Sequence, residues 1–160
     1  MKLIIVTAPT FFVEEDKIIT ALFEEGLDIL HLRKPETPAM YSERLLTLIP
    51  EKYHRRIVTH EHFYLKEELD LMGIHLNTRN PNEPHDYSGH VSCTCHSVEE
   101  VKSKKHFYDY VFMSPVYDCI TKTGTLSGYT PEELRTAGKE RIIDTKVMAL
   151  GGITPDNILE

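Results

Sequence analysis

Short apolar runs alternate with amphipathic segments along the whole chain. Lys2–Thr7 (KLIIVT) is rich in β-branched residues and predicts a first strand, which Pro9 ends. Over Glu14–Glu25, Ile18, Ile19, Leu22 and Phe23 recur at helical spacing, and Gly26 closes that helix. Leu27–Arg33 (LDILHLR) reads as strand two. Its alternation puts Ile29, His31 and Arg33 on one face and Leu30 and Leu32 on the other. Thr37-Pro38 opens a helix with Tyr41, Leu45 and Leu48 or Ile49 as the buried stripe up to Pro50. Arg56–His60 is strand three, Phe63–Leu71 a short helix, and Gly73–Leu76 strand four. Asn77–Ser88 holds two prolines and three asparagines and predicts a loop.

In the second half, Val91–Cys95 is strand five, with Ser92, Thr94 and His96 on one face and Val91, Cys93 and Cys95 on the other. Ser97 and Glu100 have capping-box spacing. Tyr110–Met113 is strand six, and it breaks at Ser114-Pro115 into a polar loop bearing Asp118, Cys119, Thr121, Lys122 and Gly124. Thr130-Pro131-Glu132-Glu133 predicts a helix start, with a cap, proline at the first position and an acidic first turn. Lys146–Leu150 is strand seven, ended by Gly151-Gly152, and Thr154-Pro155-Asp156 predicts one more helix.

Strands alternating with helices demand a parallel sheet with right-handed crossovers. An open doubly wound sheet usually carries a glycine-rich turn after its first strand, but that turn here is APTFF. The strand ends read Thr7, Arg33, His60, Asn77, Thr94 with His96, Ser114 and Gly151-Gly152. Polar groups at every strand end favour a (β/α)8 TIM barrel. Seven strands are present, and such barrels run from about 200 residues upward. The expectation is one TIM-barrel domain over residues 1–160, C-terminally incomplete, with the eighth βα unit missing from this chain.

Composition narrows the partners. The chain has 160 residues, is 41% hydrophobic and carries a net charge of −7. That charge argues against a nucleic-acid footprint, since phosphate backbones reward basic surfaces. It leaves room for small phosphorylated ligands, which need only local cations and backbone amides. No run of 18 apolar residues occurs and the N-terminus lacks a signal-peptide pattern, so no membrane partner is expected. Three cysteines in such a chain suggest a reducing cytoplasm.

Several residues could carry chemistry. His31 and Arg33 share a face, and the planar fork of Arg33 suits phosphate or carboxylate. An ion pair of Arg33 with Glu36 is the plainer alternative. Lys34 points the other way and reads as solvent-facing. His60-Glu61-His62, His75 and His96 form a histidine-rich set at strand ends, and Cys93-x-Cys95 could add thiolates to a metal site. The absence of CxxC spacing weighs against that, and His75 between Ile74 and Leu76 reads as a core histidine in preference to a lumen residue. Thr94 and His96 are better placed as site groups, with His96 a general acid–base. Gly151-Gly152 before a helix start has the composition of an anion-binding turn.

Five segments in register, HLR, GIHLN, CTCHSVEEV, DYVFMSPVYDCITKTG and ALGGITPDN, resemble the thiamine phosphate synthase family, which includes the TenI-type thiazole tautomerases. The resemblance implies a (β/α)8 barrel that couples hydroxymethylpyrimidine pyrophosphate to thiazole phosphate, with Mg2+ holding the pyrophosphate. It places Arg33 at the pyrophosphate, Thr94 at the family's strand-five serine, Thr121 and Lys122 at the strand-six Thr-Lys pair, and Gly151 and Gly152 at the thiazole-phosphate loop. His96, Lys122 and Thr94 are then the catalytic candidates, while His31, Arg33, His60, Thr121, Gly151 and Gly152 bind substrate. The family's glutamine is His31 here, its lysine Pro35, its Asn-Asp pair His60-Glu61, and its strand-four aspartate Asn80. Glu61 is left as the Mg2+ ligand. Two alternatives follow from these departures. One is a tautomerase that needs no cofactor and uses His96. The other is a non-catalytic barrel that binds thiazole or thiamine phosphate. The implied partners are small thiazole and pyrimidine phosphates, and a homo-oligomer is compatible with them.

Overall fold

The apolar runs are strands in the computed structural model, which describes residues 2–118 and 126–158. The chain divides into two units, Met1–His90 and Val91–Glu160. In the first, β1 (Ile4–Val6), β2 (Ile29–Leu32), β3 (Ile57–Thr59) and β4 (Gly73–Leu76) lie parallel in sequence order. The register pairs His31 with Val58 and Leu32 with Thr59, then Val58 with Gly73 and Thr59 with Ile74. Leu30, Leu32 and Ile57 therefore face α1 (Glu15–Glu24) and α2 (Ala39–Leu48), where they join Ile19, Phe23, Leu45, Leu46 and Ile49 in the core. A short helix α3 (Leu65–Glu68) adds Leu65. His31 and its registered neighbours occupy the opposite face.

Local chemistry sets the helix limits. At the end of α1, Gly26 takes φ +102, the Leu27 N–H donates to the Leu22 carbonyl and the Gly26 N–H to that of Phe23. This pair of hydrogen bonds closes the helix in the Schellman manner, with Leu27 in the core and Leu22 partly buried against it. Ile19, Phe23, Leu45 and Ile49 are buried as the spacing predicts, whereas Ile18, Tyr41 and Leu48 are exposed and α2 also buries Ser42 and Leu46.

The second unit holds β5 (His90–Cys95), β6 (Tyr110–Met113) and β7 (Val147–Ala149), again parallel and in order, with α4 (Val98–Lys104) and α5 (Pro131–Lys139). Thr130 caps α5 in a complete capping box with Glu133. The helix expected from Thr154 is a turn, in which the Asn157 and Ile158 N–H groups donate to the Thr154 carbonyl. Parallel strands in sequence order, joined by helices, make an α/β fold consistent with the TIM-like class.

Candidate functional site

In the first unit the chemistry gathers where β2, β3 and β4 end. One register step beyond the paired residues, Arg33, His60 and His75 share the face of His31. His31 and His75 are fully buried and His60 nearly so. His31 Nδ1 lies 2.9 Å from His60 Nε2. The His60 and His75 rings stack at 4.2 Å, and His31 meets each of them edge-on at 5.1 Å. Burial is the largest influence on all three, and it disfavours the charged imidazolium. It holds His31 well below the usual histidine value, assisted by His75, His60 and His90. It depresses His60 likewise, with His75, Arg33 and Arg79 adding to the effect. His75 is lowered to about 3 by burial and then by His90.

Around this cluster the cations and carboxylates are sorted. Arg33 is half-buried and has no ion-pair partner among the described residues, so the alternative ion pair with Glu36 is not made. Lys34 is the correction to the sequence reading. It is only 1% exposed, and its ammonium donates to the carbonyls of Ala8 and Thr10 at 2.9 Å and to Glu15 Oε1 at 2.6 Å. Both Glu61 oxygens are engaged, Oε2 by the Lys34 N–H at 2.9 Å and Oε1 by Arg79 at 2.8 Å. Asn80 donates to the His60 carbonyl at 2.9 Å. His62 takes no part in the cluster, since its Nε2 donates to the Thr37 carbonyl.

The second unit presents a different set. His96 is exposed, and its Nδ1 lies 2.9 Å from the Ser114 carbonyl. A carbonyl can only accept, so Nδ1 carries a proton, and in the neutral ring Nε2 keeps a lone pair. Thr94 lies on β5, registered with Phe112. Cys93 and Cys95 are buried, free thiols on the opposite parity, and the metal-capable group among the described residues contains neither. After β7, Gly151 and Gly152 take φ of +93 and +66. A Cβ on Gly152 would stand 2.4 Å from the Asp118 carbonyl oxygen, so this close approach requires glycine. Asn157 holds the Gly152 carbonyl at 2.9 Å, and no carbonyl of the described residues accepts from the Gly151 or Gly152 N–H. Thr121, Lys122 and Cys119 lie outside the described residues. A cleft of about 340 Å3 is lined by Ser97, Val98, Tyr129, Thr136 and Ala137 among others, and none of the predicted site residues borders it.

Comparison with known proteins assigns the group. The family model described as thiamine monophosphate synthase matches residues 3–160. The chain belongs to that family. A crystal structure of thiamine phosphate pyrophosphorylase from Bacteroides thetaiotaomicron is 81% identical, with a TM-score of 0.92, and the match covers 99% of this chain and 76% of that one. No curated protein matches. The two matches support the function of a thiamine phosphate synthase, an enzyme of transferase type. Within this family frame, three sequence-predicted residues, His31, Arg33 and His60, share one face of the first unit, and His75 joins them. Parity alone did not mark His75, because its place beside His60 depends on the β3–β4 register. Arg79 as the partner of Glu61 had no sequence signal, because it sits in an irregular loop.

Proposed function

We propose that the chain is a thiamine phosphate synthase within a (β/α)8 barrel domain, acting in the cytoplasm on hydroxymethylpyrimidine pyrophosphate and thiazole phosphate. The carrying observation is the family match over residues 3–160. In this reaction the bond from the pyrimidine methylene to the pyrophosphate oxygen breaks, and its electron pair leaves with pyrophosphate. The lone pair of the thiazole nitrogen then forms the new C–N bond. The chain's own part is to hold both anions and to keep the cation from water. Arg33 offers an unpaired guanidinium to the pyrophosphate, which suits bidentate recognition. Thr121 and Lys122 are assigned to the same end. The Gly151 and Gly152 amides are assigned to the thiazole phosphate, Thr94 to the reacting centre, and His31 and His60 to the pyrimidine.

Synthases of this family are generally Mg2+-dependent. The donor set here does not fit a hard divalent cation well. Glu61, the assigned ligand, already satisfies Lys34 and Arg79, and the neighbouring amide Asn80 faces the His60 carbonyl. Mg2+ prefers carboxylate and phosphate oxygens with ideal octahedral geometry. No step is therefore routed through it.

A second reading rests on His96. With Nδ1–H bound to the Ser114 carbonyl and Nε2 available, its ring is set to take a proton from a bound thiazole and return it. One assay separates the readings: the full chain is incubated with both substrates, with and without Mg2+. Pyrophosphate release is the expected result, and its dependence on Mg2+ would reinstate Glu61 as a metal ligand. Metal-free thiazole isomerisation abolished by His96→Ala, with no pyrophosphate released, identifies a tautomerase. Tight binding of thiazole phosphate without turnover identifies a binding protein and overturns both.

A further inference from the structure

Three imidazoles on three consecutive parallel strands are an unusual use of a buried face. A single buried histidine is readily satisfied by a carbonyl, as His54 is here by those of Leu69, Leu46 and Ile49. His31, His60 and His75 also bring ring nitrogens close to one another. One nitrogen from each lies within 4.8 Å of the other two, and the His31–His60 pair is at 2.9 Å. We propose that His31, His60 and His75 form a binding site for a divalent transition metal, Zn2+ foremost.

Tetrahedral Zn2+ with bonds of about 2.0–2.1 Å holds its nitrogen ligands roughly 3.3 Å apart. A set already within 4.8 Å closes on the ion by small ring rotations, without moving a strand. The backbone positions are fixed by the β2–β3 and β3–β4 registers, so the ligands are preorganised. Binding requires that the proton between His31 Nδ1 and His60 Nε2 move to the far nitrogen of its ring, which frees a lone pair for the metal. Imidazole donors suit zinc, copper or nickel and not magnesium, so this site is chemically distinct from the carboxylate site of the family. Three protein ligands leave a fourth position open, as catalytic zinc sites do. The site shares His31 and His60 with the proposed pyrimidine end, so metal binding is read on the chain without substrate and is separate from turnover.

The test uses the full chain, stripped with a chelator and titrated with Zn2+ against a chromophoric competitor. One equivalent should bind. His31→Gln and His75→Gln should each weaken binding by about 100-fold, while His85→Ala, at an exposed histidine paired with Asp86, leaves it unchanged. Co2+ should give the visible bands of a four-coordinate site. X-ray absorption on the unaltered zinc-loaded protein should show three imidazoles, which keeps the test decisive where a variant fails to fold. Failure of the folded chain to bind one equivalent overturns the proposal. So does binding that is insensitive to both glutamine variants, or a spectrum with oxygen ligands only.

Discussion

A lysine two residues past a strand is read as solvated by default, because burying an ammonium is expensive. Lys34 escapes that cost by filling all three of its donor positions, two on β1–α1 loop carbonyls and one on Glu15 at the start of α1. The sequence misleads here for a definable reason. Alternation does place Lys34 on the face of Leu30 and Leu32, which packs on α1, and the side chain is buried there against Glu15. The residue type misleads, because a lysine on a core-facing parity is assigned to solvent unless its buried partners are known. Glu15 is the anionic half of the arrangement and is itself buried. Removing one partner of a buried pair leaves the other charge uncompensated, typically at about 3–5 kcal/mol. Glu15→Ala should lower the urea midpoint accordingly, and a change within the scatter of repeated melts would show that water relieves Lys34.

Between strand and helix, the β5–α4 turn shows how much of an element is legible. Ser97 was readable as a cap, and its side chain does accept from the Glu100 N–H at 3.1 Å. The reciprocal half differs by one residue: Glu100 Oε2 accepts from the His96 N–H at 2.8 Å, so the carboxylate grips the backbone of a candidate catalytic residue. That bond lowers the Glu100 carboxyl below its usual range. A depressed carboxyl stabilises the fold above its unfolded value and loses the effect as pH falls through its folded one. Ser97→Ala should cost about 1 kcal/mol in chemical melts. Glu100→Gln should weaken the acid sensitivity of any His96-dependent proton transfer, which a pH–rate profile reads directly. Helix stripes were less legible than caps. Tyr41 fits the period, yet it is exposed and α2 turns Ser42 inward.

For the molecule as a whole, the βα alternation carried the fold class, since apolar strands and capped helices are local signals. Convergence of His31, His60 and His75 was not local, because it depends on the register between strands that lie far apart in sequence. Its consequence for stability has a definite sign. His75 is lowered from 6.5 to about 3, so the unfolded chain binds more protons throughout that window. Stability is fully present above about pH 6.5 and declines as pH falls toward 3, with His31 and His60 acting in the same direction. In metal-free protein His75 alone should remove about 2 kcal/mol by roughly pH 5. Urea midpoints that stay level from neutral pH to pH 5 would contradict this. The bond from Asn80 to the His60 carbonyl has one more use. Asn80 also exchanges backbone hydrogen bonds with Asn77, so the surface loop is latched to the strand that carries His60. The side-chain amide of Asn80 is thus a spectator with a view inside: its NMR signal should move whenever something settles on the histidines, with no label placed in the site.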